Sequence, residues 1–117
     1  MFVAYEISIE LNRAVRPIVE QIQRYDGDLA DQLKRAASSI TLNLSEGSRS
    51  TGGNQRQRYE SAHASAAEVR GALDLAEVQG FVGDISYARQ VLDRQLALLW
   101  GLTHSKKIGK PRPALDA

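Results

Sequence analysis

Few side chains in this sequence are suited to binding a metal ion. Glu60 and His63 stand three residues apart, the spacing that di-iron four-helix bundles use on two of their helices, but the chain has only one copy of it. The other histidine, His104, has Gly101 three residues before it, so the second half of such a site is missing. We therefore expect no metal and no cofactor, and we interpret His63 as a surface residue.

Motifs for covalent or phosphoryl-transfer chemistry are also missing from the sequence. The chain has no cysteine, no G-x-S-x-G, no H-E-x-x-H and no P-loop. Gly52 and Gly53 lie in a Ser/Thr-rich stretch, but neither a strand before them nor a G-K-[ST] after them supports a phosphate loop. The sequence predicts a protein that is not an enzyme.

Length and composition predict one domain in a reducing compartment. A chain of 117 residues suits a single core, and the lack of cysteine fits the cytoplasm. The first ten residues have no basic stretch typical of a signal peptide. No apolar run approaches the ~20 residues that cross a bilayer. We expect a cytoplasmic protein that does not interact with membranes.

The spacing of apolar residues predicts an all-α fold. They recur every three or four residues through four segments, and no segment alternates with the period of a strand. We expect Asp28, Asn54 and Asp84 to cap the second, third and fourth helices, and Gly47 and Gly80 to end the second and third. Short connections predict an antiparallel up-down-up-down four-helix bundle over residues 1–107, followed by a disordered basic tail at 108–117.

The third helix has the most regular apolar pattern. Its residues repeat at strict three- and four-residue intervals, as along the seam of a coiled coil, and several are small. We expect neighbouring helices to approach closely along this seam, which consists of Tyr59, Ala62, Ala66, Val69, Leu73 and Ala76.

The string KRAASSITLNLSEG at residues 34–47 resembles the R-R-A-A-x-S-I-x-x-N-I-A-E-G signature of the 23S ribosomal RNA intervening-sequence proteins. The third helix is similar to that family's Y-x-x-A-x-G-S-x-x-E pattern, and the resemblance covers about residues 4–84. The signature positions are Arg35, Ala36, Ala37, Ser39, Ile40, Asn43, Glu46 and Gly47.

The resemblance implies a fold and an assembly. Family members are bacterial four-helix bundles encoded within ribosomal RNA genes or as separate genes. A related bundle, the accessory variability protein of diversity-generating retroelements, is a five-fold ring that binds a reverse transcriptase and nucleic acid. A homopentamer that contacts RNA or DNA is therefore implied by kinship.

Read physically, the signature predicts architecture more than ligand binding. Ala36 and Ala37 allow a neighbouring helix to come close. Asn43 falls on or beside the buried stripe, where its amide needs partners and so would fix the helix register. Glu46 and Gly47 would end the helix.

The fourth helix contains an apolar run, at residues 96–102, that is too long for one buried face. A bundle helix keeps an outer face, so this run predicts self-association. The resemblance implies that the resulting homo-oligomer is cyclic. We assign Leu99 to the core and expect the interface to include Leu98, Trp100 and Leu102.

Charge is unevenly distributed along the expected bundle. Residues 20–31 and 74–84 carry a net charge of −6 and would share one end, while basic residues gather at the other. If symmetry multiplies the basic end, it would attract phosphate backbones. The candidate nucleic-acid contacts are Arg49, Arg56, Arg58, Lys106, Lys107, Lys110 and Arg112.

Two other interpretations stay open. The basic tail fits a purely solubilising role equally well, and it contains no aromatic residue for stacking on bases. The alternative function is a protein–protein interaction scaffold with no nucleic-acid role, which would engage its partner through the acidic end or the centre of the ring.

Overall fold

A computed structural model describes residues 1–104, and these form four α-helices. They are α1 (Val3–Gln23), α2 (Gly27–Ser48), α3 (Gly52–Val78) and α4 (Ser86–Thr103). The described part of the chain contains no strand, which confirms the all-α prediction. The expected boundary at residue 107 and the tail at 108–117 lie outside the described residues.

The helices pack as a bundle in which each contacts two neighbours. α2 packs between α1 and α3, while α4 lies against both α3 and α1. The molecule measures 43 × 22 × 20 Å. Its longest dimension is close to the length of α3, whose 27 residues span about 40 Å at 1.5 Å per residue. A four-helix bundle is the architecture that the sequence pattern predicted.

The core follows the apolar faces that the sequence indicates. All six residues of the α3 seam are buried, and Leu33, Ile40 and Leu44 of α2 meet them with no exposed surface. Leu11 of α1 and Leu99 of α4 are equally inaccessible. The predicted seam and the core position of Leu99 are thus confirmed.

The observed capping residues of α2 and α3 differ from the predicted ones. Asp26, not Asp28, caps α2, because its Oδ1 accepts the Leu29 N–H at 3.0 Å. α3 begins before Asn54, at Gly52, and Thr51 precedes it without a capping hydrogen bond from its side chain. The predicted cap at Asn54 was wrong. Only three residues separate α2 from α3, so Asn54 already lies inside the first turn of α3.

The predicted end of α3 agrees with the structure, and the predicted cap of α4 is off by one residue. Gly80 has φ of +75°, the left-handed conformation that favours glycine, and the N–H of Phe81 then donates to Ala76 O at 2.9 Å. Before α4, the N-cap residue is Ile85 and not Asp84. Asp84 lies one residue further out, where its carboxylate accepts the Ser86 N–H at 2.9 Å.

Polar links supplement the core between α1 and its two neighbours. Toward α2, the Asn12 amide donates to Ala37 O at 2.9 Å and to Thr41 Oγ1 at 3.2 Å. Toward α4, the Tyr87 hydroxyl donates to Glu10 Oε2 at 2.6 Å. The hydrogen bond from Tyr87, reinforced by Arg13, lowers the pKa of Glu10, and the same bond raises the pKa of Tyr87.

No helix among residues 1–104 is both long enough and apolar enough to cross a membrane.

The α3 seam generates a test of packing. Ala66 has no exposed surface, so Ala66→Leu should lower the free energy of unfolding by about 1–3 kcal/mol through overpacking. The neighbouring Ala67 is exposed, so Ala67→Leu should change it by less than about 0.5 kcal/mol. Thermal or urea unfolding measures both, and equal effects would contradict the assignment of the seam.

Candidate nucleic-acid and subunit interfaces

The turn between α2 and α3 brings together the three candidate arginines that the structure describes. Arg49 forms the C-terminal cap of α2, and Arg56 lies near the start of α3. Both are exposed, and neither forms an ion pair with any residue in 1–104. Two cations without an ion-pair partner among the described residues therefore lie close to one turn, where an anion could contact them.

Arg58 is placed differently from the other two. Its guanidinium pairs with the Glu46 carboxylate at 2.9 Å and approaches Asn43 Oδ1 at 3.5 Å. The side chain remains 47% exposed, but the adjacent carboxylate offsets its charge. Arg58 thus links α2 to α3, and a phosphate that contacts its guanidinium would compete with the Glu46 carboxylate.

The backbone of the turn adds to its positive character. Gly52 has φ of +58°, and a Cβ atom added at Gly52 or Gly53 would meet no other heavy atom within 4 Å. No side chain caps α3, so the helix dipole places partial positive charge at an open surface. Electrostatically, the turn favours anions.

A buried glutamine holds this turn in place, and sequence reasoning missed it. Gln55 is 1% exposed, and its amide donates to Gly47 O at 3.1 Å and to Ser50 O at 3.0 Å. It therefore fixes the end of α2 against the start of α3. A polar residue four before Tyr59, on the same helical face, was the available sequence signal.

The other candidate basic residues cannot be placed. Lys106, Lys107, Lys110 and Arg112 lie outside the described residues.

The signature residues of α2 divide between the core and its two flanks. Ala36, Ala37 and Ile40 are buried, as the architectural interpretation predicted. Ser39 bonds Ser65 of α3 through their hydroxyl groups at 2.9 Å.

Two signature residues lie away from the core. Asn43 is half-buried beside the apolar face, and its amide donates to Ser39 O at 2.9 Å. Arg35 is exposed, and its guanidinium lies 3.7 Å from the carboxylate of Asp31.

Gly47 does not end α2, because the helix continues to Ser48. It is buried instead, and a Cβ added there would lie 2.5 Å from Cε1 of Tyr59 and 3.2 Å from Cβ of Arg58. The absence of a side chain at this position is what allows the tyrosine ring of α3 to pack against the last turn of α2.

The outer surface of α4 is less apolar than the sequence suggested. Leu102 is 8% exposed and lies in the core, so it offers little surface to a second chain. Leu98 is half-buried against the core. Trp100 is 57% exposed and stacks on His104, with ring centroids 4.0 Å apart. Of the three predicted interface residues, Trp100 alone is largely available.

Comparison with known proteins identifies the chain's relatives. The family model of the 23S rRNA-intervening sequence protein matches residues 2–94. The chain belongs to this family. No curated protein and no solved structure matches it.

The extent of the family match separates the candidate sites. It includes the α2–α3 turn with Arg49, Arg56 and Arg58, and all of the α2 signature. It ends at residue 94, before Leu98 and Trp100. The family assignment therefore covers the basic turn and leaves the end of α4 to be judged on its own surface.

The two histidines that the sequence separates share a groove between α3 and α4. Glu60 and His63 lie on one side of it and His104 on the other. Among residues 1–104, however, no three histidine or acidic side chains are placed to hold a metal ion.

The contact at Gly47 gives a stability test with a matched control. Gly47→Ala should lower the free energy of unfolding by about 1–3 kcal/mol, because the new methyl group overlaps the Tyr59 ring. Gly71→Ala, inside α3 with open space around it, should raise it by about 0.5–1 kcal/mol. Urea unfolding of both variants decides; stabilisation by Gly47→Ala would refute the close approach.

Proposed function

We propose that this protein is a non-enzymatic adaptor that assembles with copies of itself and contacts RNA or DNA. The observation that carries the proposal concerns Arg49 and Arg56, two exposed arginines near the start of α3 that form no ion pair within residues 1–104. The family's description refers to sequences that interrupt 23S ribosomal RNA, which makes RNA the first ligand to test. The basic residues 106–112 would extend the same surface.

The proposal includes an antiparallel up-down-up-down arrangement. Hydrogen bonds between α1 and the α4 region support it: Gln95 donates to Ala4, Tyr87 to Glu10, and Gly83 to Gln21. Along these three bonds the residue numbers increase in α1 while they decrease toward the start of α4, as two antiparallel helices require.

The same holds between α2 and α3. Ser39 bonds Ser65, and Gly47 bonds Gln55. In that arrangement, the α2–α3 turn and the end of α4 lie at one end of the bundle.

Self-association would multiply a charge that is small in one copy. The resemblance to the five-fold ring supports a cyclic homopentamer, and exposed Trp100 is the side chain we assign to the contact between subunits. With the bundles parallel to the symmetry axis, every copy would present the same basic end. Several arginine pairs on one face would neutralise enough phosphates for binding at moderate salt.

A protein–protein scaffold is the second candidate. The ion pair between Arg58 and Glu46 reduces the free positive charge near the turn, which favours this alternative. Exposed Leu75 and Val78 near the acidic end provide apolar surface for a protein partner.

We place this adaptor in the cytoplasm and assign it no catalysis or cofactor. A chain without cysteine suits a reducing compartment, where RNA is also found.

The nucleic-acid proposal predicts binding that depends on salt. Wild-type protein should bind fluorescent single-stranded RNA or DNA with roughly micromolar affinity and little sequence preference, measured by anisotropy. In Arg49→Gln/Arg56→Gln, the slope of log K against log salt should become shallower by about 1.4 for each copy that contacts the strand, since each lost phosphate contact contributes about 0.7. Deleting residues 106–117 should flatten it further.

The control is Arg70→Gln/Arg94→Gln, which removes the same charge from exposed arginines without ion pairs in the described chain. It should alter the slope much less. Absence of binding at low salt would remove the nucleic-acid role and leave the scaffold.

The assembly proposal predicts a mass by light scattering several times 12.9 kDa at micromolar concentration. Trp100→Asp should dissociate the assembly, because an interface would bury an unpaired charge. Leu42→Asp is the matched control, since Leu42 is a similarly exposed apolar residue on α2. A monomeric wild type, or equal dissociation by both variants, would contradict the assignment.

A further inference from the structure

A groove of about 440 Å³ runs along the surface between α1 and α2, away from the α2–α3 turn. Its α1 side carries Val15, Arg16, Val19 and Glu20, and Lys34 stands on its α2 side. Lys34 lies fifteen residues before Arg49 on the same helix, so about 22 Å of helix separates the groove from the turn.

The two cations of the groove have no counter-charge engaged. Arg16 and Lys34 are exposed, and neither forms an ion pair within residues 1–104. This sets them apart from Arg13 and Arg58, which pair with Glu10 and Glu46. One cation comes from each helix, so an anion lying along the groove would meet positive charge on both sides.

The uncharged polar groups of the groove already form hydrogen bonds within the bundle. The Asn12 amide donates to Ser8 O, Ala37 O and Thr41 Oγ1, and the Ser38 hydroxyl donates to Lys34 O. Donors for an incoming anion therefore come from Arg16 and Lys34, which can reorient on an exposed surface. Arg16 also offers the forked geometry that suits phosphate oxygens.

The floor of the groove is apolar. Val15 is buried and Val19 is half-buried against the core. A ligand that suits this site combines an anionic group with a weakly polar surface, as a nucleotide does with its phosphate and sugar. Glu20 is the one acidic side chain in the groove, and it has no ion-pair partner in the described chain.

We propose that this groove is a second phosphate-binding site, which holds the backbone of a single nucleic-acid strand between Arg16 and Lys34. It rests on the nucleic-acid role proposed above and adds a contact surface on α1 and α2 that the sequence-based site did not include. Glu20 opposes the phosphate electrostatically and so limits the affinity of the groove.

The test uses the full-length chain and the anisotropy assay with fluorescent single-stranded RNA and with DNA of the same sequence. For each groove that the strand occupies, Arg16→Gln/Lys34→Gln should weaken binding about 25-fold at 0.1 M salt and make the salt slope shallower by about 1.4, the effect of two lost phosphate contacts. Glu20→Gln should act in the opposite direction and tighten binding by up to about fivefold. Thermal melting should be unchanged, because all three side chains are exposed.

The control Arg70→Gln/Arg94→Gln separates a site from a general effect of net charge. Equal weakening by the control and by Arg16→Gln/Lys34→Gln would overturn the groove proposal. So would normal binding by the groove variant while Arg49→Gln/Arg56→Gln binds poorly, a result that leaves the nucleic-acid role intact. No binding by the wild type to either strand at low salt would overturn both proposals together.

Discussion

The close approach of α2 and α3 is the constraint on which the rest of the structure depends. Gly47 lets the Tyr59 ring pack against the last turn of α2, and Ala62 and Ala66 continue the small-residue seam along α3. A single methyl group at Gly47 would force this contact apart. The turn that follows is short and held by Gln55, so the positions of Arg49 and Arg56 derive from packing a few residues away.

α2 is held on three sides by different kinds of interaction. Its apolar face enters the core, Ala37 and Thr41 accept hydrogen bonds from Asn12 of α1, and Ser39 bonds Ser65 of α3. Each of these hydrogen bonds joins one particular residue of α2 to one residue of a neighbouring helix. Together they fix the axial register of α2, which apolar packing alone would specify less strictly. The exposed residues of α2, among them Lys34 and Arg35, do not contribute to core packing.

Periodicity was sufficient to predict four helices, the α3 seam and the buried position of Leu99, because one apolar face must meet another in any bundle. It did not predict the helix starts, since Asp26 and Asp28 are equally good capping residues and the geometry of the turn decides between them. Gly47 was taken for a helix stop because a glycine at the end of a periodic segment has the same local signature as one that admits a neighbouring ring.

The candidate site was harder to predict, because it depends on partners that are distant in sequence. Arg58 looked like a free cation until the fold placed Glu46 beside it. Leu102 was assigned to the interface because it belongs to the apolar run, although it lies three residues after Leu99 and so shares the buried helix face. The groove with Arg16 and Lys34 joins two helices, so no pattern within either one indicates it.

The bond between Gln95 and Ala4 joins residues that are 91 apart in sequence, whereas Gln55 and Gly47 are separated by only eight. Loop-closure entropy grows with the logarithm of this separation, so closing the larger loop costs about 2 kcal/mol more. The hydrogen bond from the Gln95 amide to the Ala4 carbonyl offsets part of that cost. However, the Oε1 atom of Gln95 is buried without a hydrogen-bond partner in the described chain. We therefore expect the seam between the first and last helices to open before the α2–α3 hairpin does.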